Sequence, residues 1–121
     1  MTAQMQNISQ QSRLSNFCPV GDAQLLACST SSANVAFPVL SNPQQQHSTD
    51  VIVTNSGSVP AFIVFGNTAP TATIPTNGVS GNGTIVLAGQ TLVFYRGSTL
   101  YIAGITASST TSIYFQLGYG S

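Results

Sequence analysis

Charge is what this 121-residue sequence has least of: two arginines (Arg13, Arg96), two aspartates (Asp22, Asp50) and one histidine (His47), with neither lysine nor glutamate. Charged residues make up 3% of the chain, against about a quarter in soluble domains. From Val51 to Tyr95 no side chain is charged. Two cations cannot neutralise a phosphate backbone, which excludes nucleic acid as a partner by the usual electrostatic route. Long apolar runs are absent as well, and without a stretch of about 18 such residues no membrane-spanning helix is predicted. "MTAQMQNISQ" offers neither a basic n-region nor an apolar h-region, so no signal peptide is expected. Cysteine is scarce: Cys18 and Cys28 do not make a disulfide framework, and in a cytosol both are expected as reduced thiols.

Catalytic motifs are missing in the same way. There is no G-x-S-x-G elbow, no phosphate-cradling loop and no C-x-x-C. "GVSGNG" (78–83) is glycine-rich, but it lies between strand-like runs with no lysine behind it. His47 stands three residues before Asp50 in "PQQQHSTD", a spacing that could orient a proton shuttle or help hold a metal. No further ligand or nucleophile motif accompanies the pair, so it reads as a solvated loop. A glycosidase needs two carboxylates flanking one bond, and nothing suggests that Asp22 and Asp50 meet. The expectation is a protein that is not an enzyme and uses no cofactor and no metal.

What remains is 42% apolar residues, eleven glycines, six prolines, and a polar complement dominated by Ser, Thr, Asn and Gln. A surface of hydroxyls and amides lacks the repulsion that keeps free proteins apart. It also spares the desolvation cost of unpaired charges when surfaces associate. Both properties suit a subunit whose surface ends inside an assembly.

Strand-like runs rich in β-branched and aromatic residues follow one another at short spacing: 23–29, 34–40, 49–55, 61–66, 84–88, 91–96, 99–105 and 112–120. No segment has a helical period. "SGSVP" between the third and fourth runs, and Gly97-Ser98 between the sixth and seventh, read as hairpin turns. The last run alternates, with Ile113, Phe115, Leu117 and Tyr119 on one face and Tyr114 and Gln116 on the other. The pattern predicts an all-β, antiparallel β-sandwich of jelly-roll type over residues 21–121, preceded by an extended arm over 1–20. The predicted core is Leu25, Phe37, Val51, Val53, Phe62, Val64, Leu92, Phe94, Leu100, Ile102, Ile113, Phe115 and Leu117. Open sandwiches usually guard their edge strands with lysine or other charges, and here those guards are missing. Either Pro38, Pro43 and Pro60 blunt the edges or neighbouring subunits cover them; the second is favoured. Interface candidates are Met5, Ile8, Arg13 and Leu14 on the arm, together with Tyr95, Arg96, Tyr101, Tyr114 and Tyr119. Exposed tyrosines anchor protein interfaces or stack on sugars, and arginine makes bidentate contacts.

The stretch from Asp50 to Ser121 resembles small β-rich virion proteins of tailed bacteriophages. The resemblance rests on Asn55 before a Gly/Ser turn, "AFIVFG" to Gly66, "AGQ" at 88–90, Phe94 and Tyr95, "YIAGI" from Tyr101 to Ile105, and the closing strand Tyr114 to Gly120. It implies a capsid decoration or cement subunit that forms homo-oligomers, binds the major capsid protein or other virion proteins, and resides in the virion after assembly in the host cytoplasm. The alternatives are a neck, tail or fibre protein and, from another class, a carbohydrate-binding module using the tyrosines.

Overall fold

Two antiparallel sheets face each other in the computed structural model, which describes residues 17–39 and 49–120. The strands in chain order are β1 (Cys18–Pro19), β2 (Gln24–Cys28), β3 (Ala33–Ala36), β4 (Asp50–Asn55), β5 (Ala61–Gly66), β6 (Thr84–Val86), β7 (Thr91–Tyr95), β8 (Tyr101–Ile105) and β9 (Thr111–Tyr119). The first sheet runs β2-β9-β4-β7, with β1 sharing the β2 side of β9; the second runs β3-β8-β5-β6. From β2 onward every link but β5–β6 passes from one sheet to the other. No helix among the described residues is long and apolar enough to cross a membrane.

The core lies between the sheets. Leu26, Val51, Val53, Ile63, Val86, Ile102, Ile113, Phe115 and Leu117 are all buried there. An aromatic cluster closes one end: Phe37 stacks on Phe65 at 6.1 Å and meets Phe115 edge-on at 5.6 Å. Of the predicted core, Phe37, Val51, Val53, Ile102, Ile113, Phe115 and Leu117 are buried, and Leu92 and Phe94 pack half-buried against it.

Four predicted core positions are corrected. Leu25 is 47% exposed and its neighbour Leu26 is fully buried; two adjacent leucines give the pattern no way to choose a face. Leu100 is 56% exposed and precedes β8. In β5 the inward residues are Ala61, Ile63 and Phe65, so Phe62 and Val64 point outward. The reason is the long β5–β6 connection, residues 67–83, which crosses the outer face of the second sheet. It leaves β5 at Gly66, reaches Ser32 beside β3 through a hydrogen bond donated by the Ala72 amide (2.8 Å), and returns so that Gly83 rests on Phe62. Beneath it Ala103 is fully buried although it sits on the outward side of β8. With both faces covered, β5 is apolar on both sides and its alternation carries no register.

Neither predicted hairpin exists. β4 and β7 belong to the first sheet and β5 and β8 to the second, so "SGSVP" and Gly97-Ser98 carry the chain across the sandwich. Turn residues encode a reversal of direction, not the sheet to which the next strand belongs. Of the predicted arm, residues 17–20 are docked on the sandwich through β1, and Val20 donates its amide to Leu117 at 2.8 Å. Phe17 is buried against Gly118, where any Cβ would overlap the phenyl ring. A two-residue strand leaves no pattern to read. The rest of the predicted arm, with Met5, Ile8, Arg13 and Leu14, and the His47 loop lie outside the described residues.

Candidate functional site

At one end of the sandwich an open cleft of about 510 Å³ is lined by Cys28, Ser29, Ser56, Gly57, Thr111 and Ser112 among others. The floor is a buried polar clasp. Asn55 closes β4 with its side chain fully buried; its amide nitrogen donates to the Val59 carbonyl at 2.9 Å and the Val86 carbonyl at 3.0 Å. Its Oδ1 accepts from the Gly57 amide at 3.0 Å and from the Thr111 hydroxyl at 2.6 Å. Every polar atom of the amide is thereby used, and β4, β6, β9 and the β4–β5 loop are tied at one point. The Cys28 thiol is pushed up to about 11 by burial, which keeps it protonated at neutral pH. A hydroxyl nucleophile needs an adjacent base, and the lining supplies neither imidazole nor carboxylate. Among the described residues no group of three His, Cys, Asp or Glu could hold a metal ion. The cleft can donate and accept hydrogen bonds and little else.

The four tyrosines are not gathered into one platform. Tyr95, 78% exposed, and Tyr114, 46% exposed, both stand on the outer face of the first sheet. Tyr114 lies across from Thr54 and Thr91, whereas Tyr95 lies across from Asp50 and Gly118. The two are four residues along and two strands across from each other, roughly 16 Å by strand geometry. Tyr101 is half-buried on the outward side of β8 in the second sheet, and Tyr119 is half-buried near the end of β9 beside Cys18. Arg96, expected at an interface, is half-buried and engaged within the chain. Its guanidinium lies 4.9 Å from the centre of the Phe37 ring and Nη1 donates to the Thr99 carbonyl at 2.6 Å. Burial holds its pKa below the usual arginine value. It braces the β7–β8 connection.

Among the described residues, no segment crosses the outer face of the first sheet as residues 67–83 cross that of the second. Leu25, Tyr114, Ile52, Val93 and Thr54 lie on the first sheet's outer face, with a shallow hollow of about 120 Å³ between Ala23, Ile52, Tyr114 and Gln116. Its two flanks are β2 and β7, five residues each, with neither proline nor charge in either. Among the described residues β7 pairs with β4 alone and β2 with β9 alone. The alternation of hydrogen-bonded pairs fixes which backbone groups face outward. Arg96 donates to the Thr49 carbonyl at 2.8 Å and Asn55 to that of Gln90 at 3.0 Å, so 51–94 and 53–92 are the bonded pairs. The amides and carbonyls of Thr91, Val93 and Tyr95 therefore point away from the sheet. The same alternation carried through β9 directs those of Leu25 and Ala27 away on the opposite flank. The missing edge guards are visible in the sequence, whereas the identity of the edge strands follows only from the pairing order.

No family model matches the chain and no curated protein matches it. Among solved structures it is similar to one described as "Bacillus endospore appendages form a novel family of disulfide-linked pili", at 20% identity and a TM-score of 0.34, over 86% of this chain and 89% of that one.

Proposed function

We propose that the protein is a non-enzymatic structural subunit that binds an assembled protein shell and reinforces it, as a capsid decoration protein of a tailed phage does. The observation that carries this reading is the pair of unguarded, charge-free edge strands flanking a partly apolar sheet face whose Asp50 is buried. Edges left open in this way are templates for pairing with another chain, and a free monomer gains nothing from them. The strand order β2-β9-β4-β7 against β3-β8-β5-β6 supports reading the sandwich as a jelly roll, an architecture used by capsid proteins. A subunit that binds the assembled shell alone stabilises it by mass action. The carbohydrate-binding alternative is less well supported, because the tyrosines that would form its stacking platform are spread over separate surfaces.

Sedimentation with heads of the phage that carries the gene, stripped of this protein, tests the proposal. The protein is expected to pellet with the heads in 0.1 M and in 1 M NaCl alike, since screening acts on charges and these make up only 3% of the chain. Protein that stays in the supernatant, or leaves the heads at 1 M NaCl, contradicts it.

A further inference from the structure

We infer that the chain polymerises by strand addition, with β7 of one copy pairing with β2 of the next so that the first sheet continues from subunit to subunit. The inference rests on the reading of the chain as an assembly subunit and names the contact. β2 and β7 are the two flanks of one sheet and are equally long, at five residues each. Successive antiparallel pairings make β2 and β7 run in opposite directions. A copy carried sideways without inversion therefore presents β2 antiparallel to β7, with both outer faces on the same side.

The hydrogen-bond phase agrees with this arrangement. Across β2-β9-β4-β7 the bonded pairs alternate between inward and outward residues: Leu26–Ile113 inward, Ile52–Gln116 outward, Val51–Phe94 inward. The next junction must bond through outward residues, and the free backbone groups on both flanks belong to outward residues: Thr91, Val93 and Tyr95 on β7, Leu25 and Ala27 on β2. A register that satisfies them sets Val93 opposite Leu25 of the next copy, Thr91 opposite its Ala27 and Tyr95 opposite its Ala23, each pair exchanging two backbone hydrogen bonds. Leu92 and Phe94, half-buried at the rim of the core, would gain cover from the added strand. Self-pairing of β7 would give a dimer that still exposes β2 at both ends, whereas the heterologous contact covers both kinds of edge at once and leaves them open only at the ends of the polymer.

Two blocked copies test it. Leu25→Lys closes β2 and spares β7, and Val93→Lys closes β7 and spares β2; a charged side chain on an edge is the natural guard. In sedimentation velocity the unaltered protein is expected to grow with concentration and each variant alone to stay monomeric. Their equimolar mixture should stop at a one-to-one dimer, through the β7 of one and the β2 of the other. Ala27→Lys with Thr91→Lys, both at exposed positions, repeats the test should either first variant lose its thermal transition. Dimers of Leu25→Lys alone, a mixture that stays monomeric, unaltered protein that never grows, or growth of a chain carrying both Leu25→Lys and Val93→Lys would each overturn the inference. Unaltered protein that grows in solution but does not associate with phage heads would overturn the shell-binding reading and leave the strand pairing standing.

Discussion

The Thr111 hydroxyl donates to Asn55 Oδ1 at 2.6 Å across a sequence separation of 56 residues, and this bond joins the end of β4 to the start of β9. Gly57 makes the approach possible, because a Cβ at that position would overlap the Thr111 side chain. Asn55→Ala would strand the Gly57 amide, the Thr111 hydroxyl and two carbonyls, and is expected to cost about 2–4 kcal/mol. Thr111→Val removes one bond and is expected to cost about 1–2 kcal/mol. Gly57→Ala should fall nearer the larger figure. Urea melts of the three variants measure this ranking.

The inner face of β9 is tested by neighbours. Phe115 is 1% exposed and packs edge-on against Phe37, so Phe115→Ala is expected to cost about 3–5 kcal/mol. Gln116 faces outward and donates to the Gly21 carbonyl at 2.8 Å on the surface; Gln116→Ala should cost about 1 kcal/mol or less. On β2, Leu26→Ala should cost about 2–5 kcal/mol and Leu25→Ala about 1 kcal/mol or less. Thermal melts that reverse either pair would overturn the register.

The two thiols should be chemically unequal. Cys18 is exposed and Cys28 buried, so a disulfide reagent at pH 8 is expected to modify one thiol quickly and the second only after denaturation. The folded thiol of Cys28 titrates near 11 against an ordinary value of 9.0. Its burial therefore contributes stability that is complete below about pH 9 and is lost as pH rises towards 11. The melting temperature of the unaltered protein should fall more between pH 9 and 11 than that of Cys28→Ala. Equal slopes would contradict the burial of this group.

Arg96 should resist trypsin in the folded chain. Its side chain is held by the Thr99 carbonyl and the Phe37 ring, and its amide is bonded to Thr49, so cleavage there requires local opening. Intact-mass analysis of a limited digest checks this, and early accumulation of a fragment ending at Arg96 would contradict it.

Strand positions were legible because β-branched and aromatic runs are bounded by Gly, Asn and Ser, and all eight predicted runs overlap a strand. Sheet membership was not, since the Gly97-Ser98 turn looks the same whether the next strand pairs beside the last or crosses the core. The face of β5 was hidden by residues 67–83, a third layer that no local pattern announces. Asn55 stood out as a strand-ending residue before Ser-Gly, yet its partners Thr111 and Val86 are brought to it only by the sheets. The tyrosines are near one another in sequence, but alternation and sheet crossing disperse them. Of the candidate surface, the missing charges were visible; that β2 and β7 are the strands they leave unguarded became clear only from the pairing order.

Amide hydrogen exchange, resolved by residue in free and assembled protein, measures the edges directly. The account predicts that the Val93 and Leu25 amides exchange fast in the free subunit and become strongly protected on assembly. The Leu92, Phe94 and Leu26 amides, already bonded within the sheet, should be protected in both states. Val93 and Leu25 amides that exchange equally fast before and after assembly would contradict the claim that these unguarded edges are the surface through which the protein works.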